Sequence, residues 1–313
     1  MMAGLERFGL DVGIYGSLAE PGTIIDLALF AEDTGFGSIW LADHVAMPVR
    51  FASRYPYSPD GGFPAPVSEA LFEPLATLGV LAGATRRVRL GTAVLIMPYR
   101  HPLLTARMLV TIDRFSGGRV TLGAGVGWLR EEFEALGADH ARRGRATDEA
   151  LEVFKAVCAG GEVSYLGETT RFDPVHSNPG SVQRPHPPIL VGGVSDPALR
   201  RVVRHGDGWL AVALDRPMLT ERLAALRRLA ADAGRDPGSL DLAFKIFIAP
   251  GKARPGPWGG RDIGSGSPDE ILGDLRMILD AGIGTVIVRY RGDDAEAQKR
   301  EMERFAAEVV PRL

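Results

Sequence analysis

The sequence alternates eight times between a strand-like and a helix-like apolar run, and this alternation constrains the fold more than any other feature. The strand-like runs are rich in β-branched and other apolar residues without polar alternation, which is typical of parallel strands buried on both faces. The predicted strands are Phe8–Ile14, Ser38–Asp43, Val88–Met97, Arg119–Ala124, Pro188–Val191, Trp209–Ala213, Leu242–Ile248 and Thr285–Tyr290. Eight strand–helix units close an α/β (β/α)₈ TIM barrel, whereas an open doubly wound sheet usually has fewer strands. We therefore predict a single barrel domain over residues 1–313.

The predicted helices complete these units, and three long connections interrupt them. The first helix is expected to begin near Thr23 as its N-cap. The others are predicted at Pro74–Ala84, Leu103–Phe115, Glu131–Ala159, Pro197–His205, Met218–Ala233, Asp269–Ala281 and Asp294–Val310. Insertions at about 45–73, 160–187 and 249–267 are interpreted as long strand-to-helix loops after strands 2, 4 and 7. The second is expected to hold a hairpin (Glu162–Leu166, Thr170–Phe172), and the first and third to overhang the C-terminal face, where barrel active sites lie.

Composition favours small molecules as partners. The net charge is −3 and the isoelectric point is near 6.1, so the chain has no basic footprint for nucleic acid or an anionic membrane surface. No apolar run reaches the roughly 20 residues of a membrane span, and the N-terminus lacks a signal-peptide pattern. The single cysteine, Cys158, follows an apolar helical stripe and is interpreted as a packed core residue rather than a reactive thiol. We expect a cytoplasmic protein.

Polar and glycine-rich segments follow several predicted strands, at the face where a barrel binds its ligands. Strand two ends in Asp43-His44. A buried, unpaired Asp costs several kcal/mol, so these two residues favour a functional interpretation. The alternative is that Asp43 caps a turn and His44 is solvated. Glycines follow strand four (Gly123–Gly127, spaced G-x-G-x-G) and strand five (Gly192-Gly193, just before a helix N-terminus). Each cluster could equally be a tight turn. Together they predict one pocket for a flat ligand with a phosphate tail.

Other barrel chemistries find less support in the sequence. The six histidines are scattered, so no metal cage is expected. No G-x-S-x-G nucleophile elbow occurs at a strand end with a plausible triad. A Schiff-base lysine on a strand is possible only at Lys245, and we do not favour it.

The chain resembles the luciferase-like monooxygenase superfamily, and within it the coenzyme F420-dependent oxidoreductases of actinobacterial type. The resemblance covers nearly the full length. It is carried by residues 31–44 (AEDTGFGSIWLADH), 90–94 (LGTAV), 109–120 (with DRFSGGR at 113–119), 123–128 (GAGVGW), 131–133 (EEF), 187–193 (PPILVGG) and 205–209 (HGDGW).

The resemblance implies a homodimeric (β/α)₈ barrel that holds a reduced flavin or deazaflavin at its C-terminal mouth. Asp43 and His44 would lie beside the ring. A strand-three bulge, often with a non-proline cis peptide, would back the ring near Thr92, Ala93 and Val94. Backbone groups of Gly125, Val126 and Gly127 would face the ribityl chain, and the phosphate would rest on Gly192 and Gly193.

The sequence departs from the sugar-phosphate dehydrogenase branch of that family. That branch carries a Trp and a Glu where this chain has Pro48 and Val126, so hexose-phosphate oxidation is not expected. The aromatic loop 51–63 suggests a bulkier, more apolar substrate.

The mechanism expected from the resemblance is hydride transfer between F420 and an organic substrate. His44 would give or take the proton, and Asp43 would orient it or contact the ring edge. The acidic F420 tail could meet Lys252, Arg254 or Arg261, or these could be a solvated loop. Two alternatives stay open: an FMN-dependent two-component monooxygenase with a separate reductase partner, and a non-catalytic flavin-binding barrel.

Overall fold

The computed structural model describes residues 4–63, 69–251, 253–290 and 294–313. Its strands are β1 Phe8–Asp11, β2 Ser38–Leu41, β3 Arg89–Thr92, β4 Leu95–Ile96, β5 Val120–Gly125, β6 Glu162–Leu166, β7 Arg171–His176, β8 Ile189–Gly192, β9 Gly208–Val212, β10 Asp241–Pro250, β11 Ser265–Gly266 and β12 Thr285–Tyr290. Its helices are α1 Pro21–Thr34, α2 Pro74–Ala84, α3 Pro102–Ser116, α4 Arg130–Ala135, α5 Arg143–Ala159, α6 Asp196–His205, α7 Arg216–Asp232, α8 Pro268–Asp280 and α9 Ala295–Arg304.

Eight parallel strands close a barrel in the order β1-β2-β3-β5-β8-β9-β10-β12. Closure is visible at Gly9 of β1, which pairs with Ser38 of β2 on one side and with Ile287 of β12 on the other. A helix follows each barrel strand and packs outside it. The predicted α/β TIM barrel is confirmed. Closure pairs the first strand with the last, so the backbone groups of both strands are satisfied and the sheet has no free edge.

The start of α1 differs from the prediction. The N-cap is Glu20 rather than Thr23, and its carboxylate accepts a hydrogen bond from the backbone N–H of Thr23 at 3.1 Å. Pro21 then occupies the first helical position, where its missing N–H costs nothing. The helix therefore begins two residues before the predicted cap.

The predicted third strand is interrupted in its middle. β3 ends at Thr92, β4 resumes at Leu95, and the peptide bond between Ala93 and Val94 is cis. This is the bulge that the family resemblance placed near Thr92, Ala93 and Val94, and its position is confirmed.

The predicted long helix Glu131–Ala159 is wrong, because the chain forms two helices there. Gly137 ends α4 with a φ of +68°, which few residues other than glycine adopt readily. The Asp139 carboxylate then accepts the N–H of Ala141 at 2.8 Å, which turns the chain before α5. This break brings residues 140–144 to the C-terminal mouth of the barrel, where a continuous helix could not place them.

The second insertion is a helix-to-strand connection rather than the strand-to-helix loop that was predicted. It leads from α5 to β8, and the tip of its hairpin runs back along α5, where Glu168 pairs with Arg142 and Arg145 at the start of that helix. Its hairpin, β6–β7, is confirmed. The segment after the hairpin is fixed by Asp113, whose carboxylate accepts the backbone N–H groups of Val182 and Gln183 at 2.7 and 3.1 Å.

The core fills the barrel and the layer between strands and helices. Cys158 belongs to it: the side chain is fully buried, and burial raises the pKa of its thiol to about 12. The interpretation as an inert core residue is confirmed. Across the described ranges, no helix combines the length and the hydropathy needed to cross a bilayer.

Candidate active site

A cavity of about 700 Å³ opens at the C-terminal mouth of the barrel. Most of the predicted site residues border it: Asp43, His44, Ala93, Val94, Gly125, Val126, Gly127, Gly192 and Gly193. Thr92 does not. Its hydroxyl donates to the carbonyl of Gly123 at 2.8 Å and ties the bulge to β5 from inside the wall.

Two of the predicted glycines give room to the bulge. A Cβ on Gly125 would lie 2.4 Å from Val94 Cγ2, and a Cβ on Gly192 would lie 2.8 Å from Val94 Cγ1. The side chain of Val94 therefore sits over both strand ends. The glycines were predicted to face a cofactor, and the structure adds a second reason for them, since larger residues would displace the wall at Val94.

His44 is held by a buried carboxylate that the sequence did not identify as functional. Its Nδ1 lies 2.6 Å from Glu132 Oε2, which also accepts the Tyr99 hydroxyl at 2.9 Å. The other oxygen of Glu132 accepts the N–H groups of Val45 and Ala46 at 2.7 and 3.0 Å. Burial alone would raise the pKa of Glu132, but the hydrogen bonds from His44 and the two backbone groups outweigh it and lower the pKa. Because Nδ1 is engaged, Nε2 is the nitrogen that can exchange a proton with a ligand.

Asp43 does not orient His44, contrary to one of its two predicted roles. Its carboxylate pairs with both terminal nitrogens of Arg100 at 2.8 Å and accepts the N–H of Ile96 at 2.8 Å. Arg100 also reaches Glu73 Oε1 at 2.7 Å. Burial raises the pKa of Asp43, and the contacts with Arg100 and Ile96 oppose that rise. The aspartate therefore braces the bulge at Ile96, where it still borders the cavity.

Aromatic rings from the first insertion cover His44. The Phe63 ring lies edge-on to the imidazole at 5.2 Å between centroids and stacks on Trp128 at 5.8 Å. Tyr55 contacts both of these rings, at 5.4 and 5.2 Å. The third insertion contributes Trp258, which borders the same cavity. These two insertions form the predicted cover over the mouth, and an apolar cover of this kind excludes water from a reacting centre.

Two glutamates of helix α4 hold the first insertion by hydrogen bonds at two points. Glu132 holds residues 44–46, as described, and its neighbour Glu131 accepts the N–H groups of Ala52 and Ser53 at 2.7 and 3.1 Å. Against the opposing effect of burial, hydrogen bonds from Ser53 and Ala52 lower the pKa of Glu131 to about 2. Both carboxylates therefore stay ionised at neutral pH.

Replacing Glu132 by Gln should cost stability in a pH-dependent way. At pH 7 we expect a loss of about 2 kcal/mol in the free energy of unfolding, the scale of a hydrogen bond to a charged group. A carboxyl whose folded pKa is lowered stabilises the fold above its unfolded pKa, and this contribution is lost as the pH falls through the folded pKa. The gap between wild type and Glu132→Gln in urea titrations should therefore narrow below about pH 4.5. A gap that stays constant or widens on acidification would contradict the ionised, hydrogen-bonded Glu132.

The far end of the cavity suits an anion. Gly193 has a φ of +108° and leads into α6, where the Ser195 hydroxyl accepts the N–H of Ala198 at 3.4 Å. Arg143 borders the same end, and its Nε is buried without a hydrogen-bond partner among the described residues. A helix N-terminus next to a guanidinium with an unused donor fits a phosphate group. Together with Val94 and residues 125–128, which border the same cavity, these residues fit a flat cofactor with a phosphate tail.

The three residues predicted as possible contacts of an acidic cofactor tail, Lys252, Arg254 and Arg261, do not form one cluster among the described residues. Arg261 pairs with Asp274 at 2.6 Å and donates to the carbonyl of Ser265, so it braces the third insertion. Arg254 borders a second cavity of about 470 Å³ between the first and third insertions. Lys252 lies outside the described residues.

Comparison with known proteins agrees with this geometry. The family model for luciferase-like monooxygenases matches residues 7–254. An uncharacterised protein of Mycobacterium tuberculosis is 30% identical over 298 residues, covering 92% of this chain and 95% of that protein.

Two solved structures share the fold. A monooxygenase from Streptomyces bottropensis superposes with a TM-score of 0.75 at 24% identity, covering 97% of this chain and 99% of that one. An F420-dependent secondary alcohol dehydrogenase, solved with an F420–acetone adduct, gives a TM-score of 0.78 at 17% identity and covers 98% of each chain. The chain belongs to the luciferase-like monooxygenase family, whose members are flavin- or F420-dependent oxidoreductases or monooxygenases.

Proposed function

We propose that the protein is an F420-dependent oxidoreductase that transfers a hydride between the deazaflavin and an organic substrate. One observation carries the proposal: a histidine held by a buried carboxylate borders the cavity of about 700 Å³ under an aromatic cover. Hydride transfer to or from carbon needs a proton to move as well, and the imidazole of His44 can donate or accept that proton.

Each part of the cavity then has a task. The bulge at Ala93-Val94 and the backbone of Gly125–Gly127 would hold the ring and the chain attached to it. The α6 N-terminus and Arg143 would bind the phosphate. When bound, the deazaflavin supplies the hydride-exchanging carbon, while Glu132 fixes the imidazole so that His44 Nε2 can pass a proton to or from the substrate.

The choice of F420 over FMN is supported by the arginines at the start of α5. Arg143 borders the phosphate end, and Arg142 and Arg145 flank it with half-exposed side chains near Glu168. An acidic tail extending beyond the phosphate would meet these cations, whereas FMN ends at its phosphate.

The second candidate is an FMN-dependent two-component monooxygenase. The cavity and its phosphate end would serve FMN equally, and the water-excluding cover would also suit oxygen chemistry. The separate reductase belongs to this alternative, and the homodimer stays a prediction of the resemblance. A non-catalytic flavin-binding barrel is the third possibility.

A paired titration of the purified protein with F420 and FMN, each oxidised and reduced, tests the assignment through cofactor and tryptophan fluorescence. We expect tight F420 and weak FMN binding. Arg143→Gln should weaken both cofactors, by about tenfold for a lost charged hydrogen bond, whereas the double variant Arg142→Gln/Arg145→Gln should weaken F420 only.

Arg300→Gln, on the outer helix α9, removes the same charge far from the mouth and serves as the control. Preference for reduced FMN would favour the monooxygenase. Binding of neither cofactor would contradict the proposed function.

A further inference from the structure

A charged cluster lies on the floor of the cavity, apart from His44 and from the phosphate end. Lys245 of β10 borders the cavity, and its Nζ lies 2.5 Å from Asp11 Oδ2 and 3.4 Å from the carbonyl of Ala93. Arg289 of β12 reaches the other oxygen of Asp11 at 3.4 Å. The Asp11 side chain is fully buried, and Lys245 is nearly so. Side chains from β1, β10 and β12 thus bring two cations to one carboxylate.

This cluster carries an excess positive charge. Within the described ranges, Asp11 is the only carboxylate within 4 Å of Lys245 or Arg289. Coulombic attraction to Asp11 keeps the pKa of Arg289 above its ordinary value although burial opposes this, so the guanidinium stays charged. A buried charge without a partner is costly, and a ligand that brings one negative charge would relieve that cost.

Three other sets of paired charges around the mouth leave no excess positive charge. Asp43 and Glu73 share Arg100, Glu132 faces His44, and Arg201 pairs with Asp148 at 2.5 Å. Arg289 is further screened on one side, where it lies 5.1 Å from the Tyr15 ring centroid. Lys245, which reaches the carbonyl of the bulge from across the barrel, is the member of the cluster that a ligand in the cavity can contact.

The walls around Lys245 are apolar and aromatic. Leu210, Val212 and Phe247 border the cavity beside it, and the Phe247 ring centroid is 5.9 Å from Nζ. The second cavity, of about 470 Å³, shares Tyr55, Tyr57, Phe63 and Phe247 with the first. A ligand with its polar end at Lys245 could extend its body past these rings between the two insertions.

We infer that Lys245 binds an anionic oxygen of the substrate, and that the substrate class is therefore a singly charged organic anion, a carboxylate or an ionised phenol or enol, with a flat apolar body. The inference rests on the proposed function, because it names the substrate of the same cavity. Lys245 then has a binding role as an ammonium paired with Asp11, not the role of a Schiff-base nucleophile.

Calorimetric titration without cofactor tests this with two probes of the same shape, 2-naphthoate and the neutral 2-naphthamide. Wild type should bind naphthoate about tenfold or more tightly than naphthamide, as expected for a charge-assisted hydrogen bond. Lys245→Met should abolish the preference. Asp11→Asn should increase it, because removing the carboxylate leaves two cations unneutralised.

The two variants are expected to change the naphthoate preference in opposite directions, and this distinguishes ligand binding by Lys245 from a purely structural role. A purely structural ion pair would lose probe binding in both variants. Equal affinity of wild type for the two naphthyl probes, together with an unshifted pKa of bound 4-nitrophenol, would also overturn the inference. Lys299→Met changes the same charge on outer helix α9 and should leave the preference intact. If Lys245→Met does not fold, Asp11→Asn still tests the inference, because an increased naphthoate preference is expected only if Lys245 binds the anion.

A second probe distinguishes the sources of the anion. Bound 4-nitrophenol reports its ionisation by absorbance, and a cation beside its oxygen should lower its pKa in wild type and in Asp11→Asn but not in Lys245→Met. A lowered pKa with no naphthoate preference would assign the site to a phenol or enol rather than a carboxylate. An intact preference without any F420 or FMN binding would overturn only the proposed function, whereas tight cofactor binding without either probe effect would overturn only this inference.

Discussion

Replacing His44 by alanine is expected to lower the turnover number by about 10²–10⁴-fold, the usual contribution of a general acid or base. Cofactor affinity should change little, because other residues are proposed to hold the ring and the phosphate. The measurement is the rate of hydride exchange at saturating cofactor, with an acceptor that wild type turns over. A loss well under tenfold, with tight cofactor binding retained, would remove His44 from the chemistry.

Controls can separate the chemistry of His44 from its packing among aromatic rings. Free imidazole should restore part of the rate to His44→Ala, since the vacated space opens on the cavity. His101→Ala is the matched control: this histidine is exposed at the N-terminus of α3, where it accepts the N–H of Leu103 at 3.3 Å, and its loss should leave turnover unchanged.

Glu132→Gln should reduce turnover less than His44→Ala does, and it should shift the pH profile of the rate. A glutamine keeps an acceptor for Val45 and Ala46 but loses the negative charge beside His44 Nδ1. The pH profile of the rate should therefore change, because the variant removes the ionised carboxylate that contacts His44 Nδ1. A slower enzyme with an unmoved profile would show that Glu132 only supports the loop.

The sequence predicts the elements best where local chemistry marks their ends. Helix α2 matches its predicted range, Pro74–Ala84, since Pro74 follows a capping glutamate and an apolar run ends at Ala84. Strand β12 likewise matches Thr285–Tyr290, because its apolar run Val286–Val288 is fully buried. The helix break at Gly137 was missed because the apolar pattern continues on either side of it. Only the glycine and Asp139 mark it, and a lone glycine also occurs within helices.

The sequence predicts the central residues of the site but not the residues that contact them. Asp43 and His44 stand out because charged residues at the end of a buried strand need partners. Their partners were not predictable, because Glu132 lies 88 residues from His44 and Arg100 lies 57 from Asp43, and such contacts depend on the closed barrel. For the same reason the cluster of Asp11, Lys245 and Arg289 has no sequence signature: its members come from the first, seventh and eighth barrel strands.

Replacing Asp43 by alanine is expected to lower the free energy of unfolding by about 3–5 kcal/mol, the cost of breaking a buried ion pair. The variant would leave Arg100, whose side chain is 11% exposed, with Glu73 alone and would leave the N–H of Ile96 without its acceptor. Urea unfolding at pH 7 measures the loss. Asp33→Ala is the matched control, because Asp33 forms an exposed pair with Arg87 at 3.3 Å and should cost less than about 1 kcal/mol.

The double variant Asp43→Ala/Arg100→Met decides what the aspartate does. If Asp43 acts through Arg100, removing both charges should recover part of the stability lost in Asp43→Ala, because the stranded guanidinium is then gone. Cofactor affinity should fall in both variants, since the brace on the bulge is lost in both. If instead Asp43→Ala keeps its stability within about 1 kcal/mol of wild type and still loses the cofactor, then the carboxylate contacts the ring directly, and its pairing with Arg100 is secondary.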